Sequence, residues 1–265
     1  MRYFRIFLLH LQQTFEQRSY MLVFFIMSLI NPFIYVLFWQ GATSGGRSII
    51  PGWNFSTIAS YYFYFAVLNG LLMAHPEYAV SRQIKEGDLV MFLLKPLPYF
   101  IQMFFMEFSW RFVRFWFGII TVILFYAFWG NAIIGLHNNI FTWGIICIIL
   151  FLGFMVSFVI KMIMGVSTFW LIETRGIYDF MEIIFLFFAG FIAPLVLFPS
   201  AISSIAINLP FAYIIYFPVI ALEGKLGYEE MVHIILIQIF WIGVLFFIYQ
   251  FLWKKGMQKF TAVGQ

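Results

Sequence analysis

Residues 81–98 read SRQIKEGDLVMFLLKPLP, and they carry the densest mixture of charge, glycine and proline in the chain. Apolar runs flank this stretch on both sides, at residues 55–74 and 99–130. Each run is long enough to cross the hydrocarbon core of a bilayer, which takes roughly 20 apolar residues in a helix. The stretch is therefore expected to be a polar loop that joins two membrane spans.

The composition supports a membrane protein. Apolar residues make up 64% of the 265 residues, charged residues make up 10%, and 38 residues are phenylalanine. Soluble domains carry about 25% charged residues. At roughly 20 apolar residues per span, the chain has room for about six spans with short loops. We therefore expect one transmembrane domain over residues 1–265.

Six runs satisfy the length criterion, and they cover residues 20–40, 55–74, 99–130, 141–172, 180–198 and 232–252. A further apolar run, residues 200–222, contains Pro210 and Pro218, which split it into pieces shorter than a span. Each proline also removes a backbone donor that hydrocarbon cannot replace. This run predicts a pair of short re-entrant or interfacial helices between spans five and six.

The distribution of positive charge predicts the orientation. With six spans and a cytoplasmic N-terminus, all of the 15 Lys and Arg residues except Arg47 and Lys225 fall on or near the cytoplasmic side. Short, positively charged flanks stay in the cytoplasm. Both termini are therefore expected there. Upstream of the first span, residues 2–19 place apolar side chains at helical spacing among polar ones, which predicts an interfacial helix.

Charged residues inside the long third and fourth runs are Glu107, Arg111, Arg114 and Lys161. We interpret them as side chains that snorkel from the helix ends to water. No ionisable residue is then expected near the bilayer midplane, which disfavours an ion-coupled transporter or channel. His75-Pro76-Glu77 is interpreted as the end of span two, and the four histidines occur in separate segments, which disfavours a membrane enzyme. These two classes remain the alternatives.

Within the loop, Gly87 is expected to end one short helix, Asp88 to cap the next, and Pro96 to stop it. The short helix is rich in apolar residues, with Leu89, Val90, Phe92 and Leu93 flanked by charge. Such a patch is typical of a surface that docks a soluble partner, and it is equally compatible with a segment that dips into the lipid headgroups.

The pattern I-x-x-G-x-(L/V)-x-x-x-L-L-(R/K)-P-L, present as Ile84 to Leu97, resembles the corresponding loop of ABC type-2 permeases. These are the membrane subunits of ATP-binding-cassette exporters. The order of elements is also similar, namely an interfacial helix, six spans, a cytoplasmic coupling helix between spans two and three, and short re-entrant helices before the last span. The resemblance therefore covers the whole chain.

The resemblance implies a permease in the inner membrane of a bacterium that pairs with a second copy or a related chain and with separate ATPase subunits. It implies no catalytic, cofactor or metal site in this chain, with ATP and Mg²⁺ bound by the partner. The chain indeed lacks the G-x-x-x-x-G-K-[ST] phosphate loop, since Gly224-Lys225 is followed by Leu226. The scattered basic residues form no stripe for nucleic acid. The uncharged, aromatic spans favour a lipid-like or amphipathic substrate.

Two sets of candidate contact residues follow from this resemblance. The ATPase-coupling set consists of Ile84, Glu86, Gly87, Asp88, Leu89, Phe92, Leu93, Leu94, Lys95 and Pro96. A possible second cytoplasmic contact lies in the turn after span four and consists of Glu173, Arg175 and Asp179.

Overall fold

The computed structural model describes residue 8 and residues 11–12, 14–16, 18–43, 52–130 and 139–260, and this part of the chain is helical without strands. Its α-helices are α1 (Arg18–Ala42), α2 (Phe55–Leu72), α3 (Pro76–Lys85), α4 (Leu89–Leu93), α5 (Tyr99–Trp129), α6 (Ile140–Val166), α7 (Arg175–Phe188), α8 (Ser200–Ala206), α9 (Tyr216–Leu222) and α10 (Tyr228–Met257). Short 3-10 helices cover Ser167–Phe169, Leu195–Leu197 and Pro210–Tyr213. The interfacial helix predicted over residues 2–19 lies for the most part outside the described residues.

Five segments of the described chain are long and apolar enough to cross a membrane. They are Met21–Ala42, Phe55–Lys85, Tyr99–Trp129, Ile140–Phe169 and Tyr228–Met257. The second of these contains both α2 and α3. Counting the bent pair Ser200–Ala206 and Pro210–Leu222 as one span gives six. The all-helical membrane fold predicted from the sequence is therefore confirmed.

The predicted span at residues 180–198 differs from the observed helix. Helix α7 begins at Arg175 and ends at Phe188, and its 14 residues are about 21 Å long, whereas the hydrocarbon core is about 30 Å thick. The chain then turns at Gly190, whose φ of +84° is accessible to glycine at little cost. The run is apolar except for Glu182, but Gly190 and Pro194 prevent a continuous helix.

The run at residues 200–222 is broken where the first proline predicts. Helix α8 ends at Ala206, and the chain resumes as a 3-10 helix at Pro210 after a bend of 69°. Pro218 does not break the chain, because it is the third residue of α9. Backbone N–H groups in the first turn of a helix have no partner within the helix, so proline is tolerated there.

Helix α2 is the most buried of the long helices, with α1 and α5 packed beside it, while α10 packs along α6. Between α6 and α10, the Gln238 Nε2 atom donates to the carbonyl oxygens of Ile149 and Tyr213, both at 3.0 Å. A buried amide in a membrane helix is expected to form such an interhelical hydrogen bond.

Helices α3 and α6 approach most closely at Gly165. A Cβ atom on this glycine would lie 2.7 Å from the Cβ of Val80 and 3.2 Å from the Cα of Glu77. Real Cβ atoms do not approach other carbons so closely, so the contact requires glycine at this position. Small residues allow helices in membranes to pack at short distances in this way.

Candidate functional site

The loop between α3 and α5, residues 86–98, has a defined fold. Gly87 follows the end of α3 with a φ of +82°, which confirms the predicted turn. Gln102 fixes the far side, because its Nε2 atom donates to the carbonyl oxygens of Phe92 at 2.9 Å and Leu97 at 2.8 Å. Asp88, predicted to cap α4, makes no capping hydrogen bond, because its backbone is helical rather than extended.

The apolar residues of this loop divide into an anchor and an exposed surface. Leu89 is fully buried, and Phe92 is partly buried against Tyr99, with Lys95 Nζ 4.2 Å from the centre of the Phe92 ring. Met91, Leu93 and Leu94 are 65%, 40% and 76% exposed, and we call these three residues the apolar tip. The surface available to a partner is therefore the apolar tip, whereas Leu89 and Phe92 hold it in place.

The remaining predicted residues of the loop are distributed around the apolar tip. Glu86, Asp88, Lys95 and Pro96 are exposed, Gly87 is partly exposed and Ile84 is buried. Apart from the contact of Lys95 with the Phe92 ring, no contact among the described residues assigns a role to these exposed side chains.

The second predicted contact set lies close to the first. A cleft of about 550 Å³ between α3 and α7 is lined by Lys85 and Glu86 on one side and by Arg175 and Asp179 on the other. Arg175 Nε and Asp179 Oδ2 form an ion pair that is 4.0 Å long and largely exposed to solvent. Glu173 does not line the cleft, and its carboxylate accepts the backbone N–H of Arg175 at 2.8 Å. The structure thus brings two of the three residues beside the α3–α5 loop.

A cluster of charged side chains lies where α2 ends and α3 begins, and it is buried except at His75 and Glu182, whose side chains are 32% and 41% exposed. Lys161 Nζ lies 3.2 Å from Glu77 Oε1 and also contacts Glu182 Oε1. His75 Nδ1 lies 3.4 Å from Glu77 Oε1. We call the following residues the buried ionic cluster: His75, Glu77, Glu107, Arg111, Arg114, Lys161 and Glu182. They belong to four helices and the break between two of them, so the cluster links α3, α5, α6 and α7.

The break between α2 and α3 explains why charge is present here. A helix end inside a membrane protein leaves backbone groups that must find other partners. Arg111 Nη1 donates to the carbonyl of Gly70 at 3.5 Å, and Arg114 Nη1 donates to that of Met73 at 3.3 Å. The backbone N–H of His75 donates to Glu107 Oε2 at 3.2 Å. Positive charge at the end of α2 also complements the helix dipole.

The interpretation of these residues as snorkelling side chains is wrong. Glu77 and Lys161 are 0% exposed, and Glu107 is 5% exposed with its carboxylate accepting a hydrogen bond from Arg111 Nη2 at 2.7 Å. Glu107 is eight residues after the first residue of α5, which places it about 12 Å along that helix. The expectation that no ionisable residue lies near the bilayer midplane stays a prediction, and the charges of the cluster pair with one another in the bundle interior.

The charges of the cluster balance. In their ordinary ionised forms, three carboxylates face three cations, namely Glu77, Glu107 and Glu182 against Arg111, Arg114 and Lys161. His75, Glu77 and Glu182 place three metal-ligand atoms within 4.8 Å of one another. However, the Lys161 ammonium lies in contact with both carboxylates. The geometry therefore suits a lysine rather than a metal ion.

Another buried carboxyl lies beyond the end of α9, on Glu223. Its Oε2 atom is 2.9 Å from Lys225 Nζ, and that ammonium lies 3.4 Å from the centre of the Trp53 ring. Burial raises the pKa of Glu223 to about 7, although the charge of Lys225 opposes the shift. Burial also lowers the pKa of Lys225. Sequence reasoning treated Lys225 only as one of two outer positive charges and did not find this pair.

Comparison with known proteins gives one result for the whole chain. Residues 25–264 match the family described as ABC-2 family transporter protein. The match begins within α1 and extends past the end of α10, so it covers the α3–α5 loop and every member of the buried ionic cluster. No curated protein gives a match.

Proposed function

The chain belongs to the ABC-2 transporter family and is a multi-pass membrane component of a transporter, and from this premise we propose that it is the permease subunit of an ATP-driven exporter. ATP is bound and hydrolysed, with Mg²⁺, by a separate subunit. A second permease, either another copy or a related chain, completes the path. The distribution of Lys and Arg supports an inner-membrane orientation with both termini in the cytoplasm. The aromatic side chains of the spans support a lipid-like or amphipathic substrate.

The observation that carries this proposal is the apolar tip. Three exposed apolar side chains on a single helical turn are costly in water and are typical of a protein contact. The backbone beneath them is held by Gln102 and by the buried side chain of Leu89, so a force on the tip moves the loop as a unit. We propose that the ATPase subunit docks on the apolar tip, and that α4 is the coupling helix.

Helix α3 supplies a direct route from the docking surface into the bundle. It is ten residues long, about 15 Å, with the loop at its C-terminal end and Glu77 in its first turn. Glu77 binds Lys161 of α6, and Gly165 of the same helix lets α3 lie against it. Movement of the loop by the ATPase would therefore shift α3 against α6 and change the packing of the spans.

The proposal is tested with Leu94→Asp, which introduces a charge at the most exposed residue of the apolar tip. A charge at the centre of an apolar interface should cost at least about 2 kcal/mol, which weakens ATPase binding roughly thirtyfold. The measurement is co-purification of the ATPase subunit from membranes, together with ATP hydrolysis stimulated by substrate. Lys95→Gln is the matched control, since it makes the same change in net charge at the adjacent exposed position.

Leu94→Asp should release the ATPase subunit while the permease remains in the membrane at its normal level, and Lys95→Gln should retain it. Full retention of the ATPase subunit by Leu94→Asp would refute the docking surface. Phe92 belongs to the coupling set predicted from the sequence, but Phe92→Asp does not test docking alone. Phe92 packs against Tyr99, so its replacement by a charged residue would also disturb the fold of the loop.

The buried ionic cluster is the one observation that favours a second candidate, transport coupled to an ion gradient, because buried ionisable residues in spans commonly mark ion paths. The balance of charge and the contact of Lys161 with two carboxylates favour a structural role instead. Transport into vesicles distinguishes the two. A requirement for ATP that persists after the pH and ion gradients are abolished supports the exporter.

A further inference from the structure

A second cleft, which neither the docking surface nor the buried ionic cluster uses, lies where α3, α6 and α10 end together. Its volume is about 260 Å³. Residues that line it include Lys85 at the end of α3, Thr168 and Trp170 after α6, and Lys259 after α10. Because α6 ends at Val166 and α10 ends at Met257, the cleft lies at the level where two long apolar helices leave the membrane. We call it the basic cleft.

The polar side chains that line the basic cleft are two lysines and a threonine, which can all donate hydrogen bonds to an anion. Within the part of the chain that the structure describes, neither Lys85 nor Lys259 has a carboxylate within 4.0 Å. Lys85 Nζ donates to Thr174 Oγ1 at 3.4 Å, which leaves two of its three N–H groups available. Among the described residues, no aspartate or glutamate lines the cleft. The two ammonium groups therefore present positive charge to the same enclosed space.

The hydroxyl of Thr168 gives an independent indication of a ligand. Thr168 is 7% exposed and lines the cleft, and among the described residues its Oγ1 atom has no hydrogen-bond partner. A buried hydroxyl without a partner costs about 1–3 kcal/mol, so such groups are normally satisfied. An oxyanion in the cleft would accept an N–H from each lysine, and it would also accept this O–H group once rotation about χ1 of Thr168 turned the buried hydroxyl toward the cleft.

The walls of the cleft distinguish a lipid from a soluble anion. Phe169, Trp170 and Ile172 form the apolar side, and Ile172 is 94% exposed. Phe169 lies directly over Gly256 of α10, where a Cβ atom would fall 2.1 Å from its ring, so the apolar wall is fixed to the end of that helix. Tryptophan is enriched where membrane meets water, and basic clefts between spans bind acidic headgroups. A free phosphate ion would make no use of the apolar wall.

From these contacts we infer that the basic cleft binds the phosphate of an acidic phospholipid, with Lys85, Lys259 and Thr168 on the headgroup and the apolar wall on the first part of an acyl chain. The site does not depend on the proposed exporter function, because it involves neither the apolar tip nor a nucleotide. The bound lipid would link the ends of α3, α6 and α10.

The test measures lipid binding to the full chain in mild detergent by native mass spectrometry, with phosphatidylglycerol and phosphatidylcholine of identical acyl chains as the probes. Phosphatidylglycerol should bind more tightly. Lys85→Gln with Lys259→Gln should weaken its binding about thirtyfold, since each lysine near an anionic headgroup contributes about fivefold. Lys254→Gln with Lys255→Gln removes the same charge one turn earlier on α10, outside the cleft, and should leave binding nearly unchanged.

Equal loss of phosphatidylglycerol from both double variants would overturn the proposal, because the attraction would then be that of a general basic surface. Unchanged binding in Lys85→Gln with Lys259→Gln would overturn it as well. A third arm adds inorganic phosphate. Displacement of the lipid by an equal concentration of phosphate would show a site for a soluble anion instead, whereas retention of the lipid supports the acyl-chain contact.

A second measurement keeps the test valid if a double variant fails to fold. A photoreactive amino acid at Ile172, in otherwise unchanged protein, should cross-link to phosphatidylglycerol well above its share of a mixed vesicle with phosphatidylcholine. The same probe at Phe247, an exposed residue within α10, should label the two lipids in proportion to their amounts. Proportional labelling at both positions would overturn the site, as would labelling of Ile172 by the ATPase subunit in place of lipid.

Discussion

Replacing Lys161 with methionine tests whether the buried ionic cluster holds the bundle together. Methionine keeps the length of the side chain and removes its charge. The ammonium contacts Glu77 and Glu182, so its loss leaves the fully buried Glu77 carboxylate in direct contact, among the described residues, with the His75 ring alone. Glu77 Oε2 already has no hydrogen-bond partner among the described residues. Removing one member of a buried ion pair costs about 3–5 kcal/mol, and this site fits the upper part of that range.

Adding Glu77→Gln to Lys161→Met should recover part of that loss, because the carboxylate left without its partner is then neutral. The double variant is expected to be more stable than Lys161→Met alone by about 1 kcal/mol or more. The assay is unfolding of the purified protein in mixed micelles by increasing SDS, followed by tryptophan fluorescence. Lys254→Met is the control, since it removes an exposed lysine and should change the free energy of unfolding by less than about 0.5 kcal/mol.

Two results would refute this reasoning. One is a loss below about 1 kcal/mol in Lys161→Met, which would mean that water reaches the site and that the charges are not buried. The other is strict additivity of the two substitutions, which would mean that Glu77 and Lys161 do not interact.

Three further predictions follow from the structure. Gly165→Ala should destabilise the protein by about 1–3 kcal/mol, because the new methyl group meets Val80. The control is Gly144→Ala on the same helix, whose methyl group meets no atom within 4 Å and which should be neutral or stabilising. Equal effects of the two substitutions in the SDS assay would contradict the close contact. The pKa of Glu223 is about 7 in the folded state and 4.5 ordinarily, so the folded protein binds the proton more tightly than the unfolded chain does. Proton binding therefore stabilises the fold by up to about 3 kcal/mol at low pH. This stabilisation is lost as the pH rises from 4.5 to 7. Glu223→Gln should flatten that part of the stability curve, and an unchanged slope between about pH 5 and about pH 8 would contradict the burial of the carboxyl. A reporter active only in the cytoplasm should be active after Gln265 and silent within residues 45–54, and the reverse pattern would overturn the orientation.

The α3–α5 loop was predictable because its signals are local. Gly87 allows a positive φ, and Pro96 and Pro98 exclude a continuous helix, so the sequence alone indicates where α3 ends and α5 begins. The direction of each side chain was not predictable. Leu89 and Phe92 are as apolar as Met91 and Leu94, and only the packing of α4 against Tyr99 and Gln102 decides which of them reach the surface.

The buried ionic cluster was missed because its members are far apart in sequence. Glu77 and Lys161 are separated by 84 positions, and nothing in the residues between them indicates that they meet. The length of the third and fourth apolar runs did indicate buried charge, because it places some charged residues far from the ends of the helices. Charges more than two turns from the nearest helix end are too deep to snorkel easily, so Glu107 and Arg111 already indicated partners inside the bundle.

The fifth span shows the limit of counting apolar residues. Residues 180–198 satisfy any hydropathy criterion, but Gly190 and Pro194 interrupt the helix in its second half. Apolar composition indicates where a segment resides, whereas the path of its backbone depends on the residues that permit or forbid helical hydrogen bonds.

The order of Glu77, Lys161 and Glu182 along the chain has a consequence for biosynthesis. A ribosome delivers α3 to the membrane first, then α6 with its lysine, and α7 with Glu182 last. Inserting a lone lysine costs up to about 3 kcal/mol at the centre of a span and less toward its end, where Lys161 lies, and at that moment Glu77 is the only one of its two carboxylate partners already made. Pairing with Glu77 of α3 should therefore lower the cost of inserting newly made α6. Loss of the Glu77 charge should expose the nascent chain to membrane quality-control proteases, so its effect on the amount of protein that matures in the cell should exceed its effect on the stability of the finished fold.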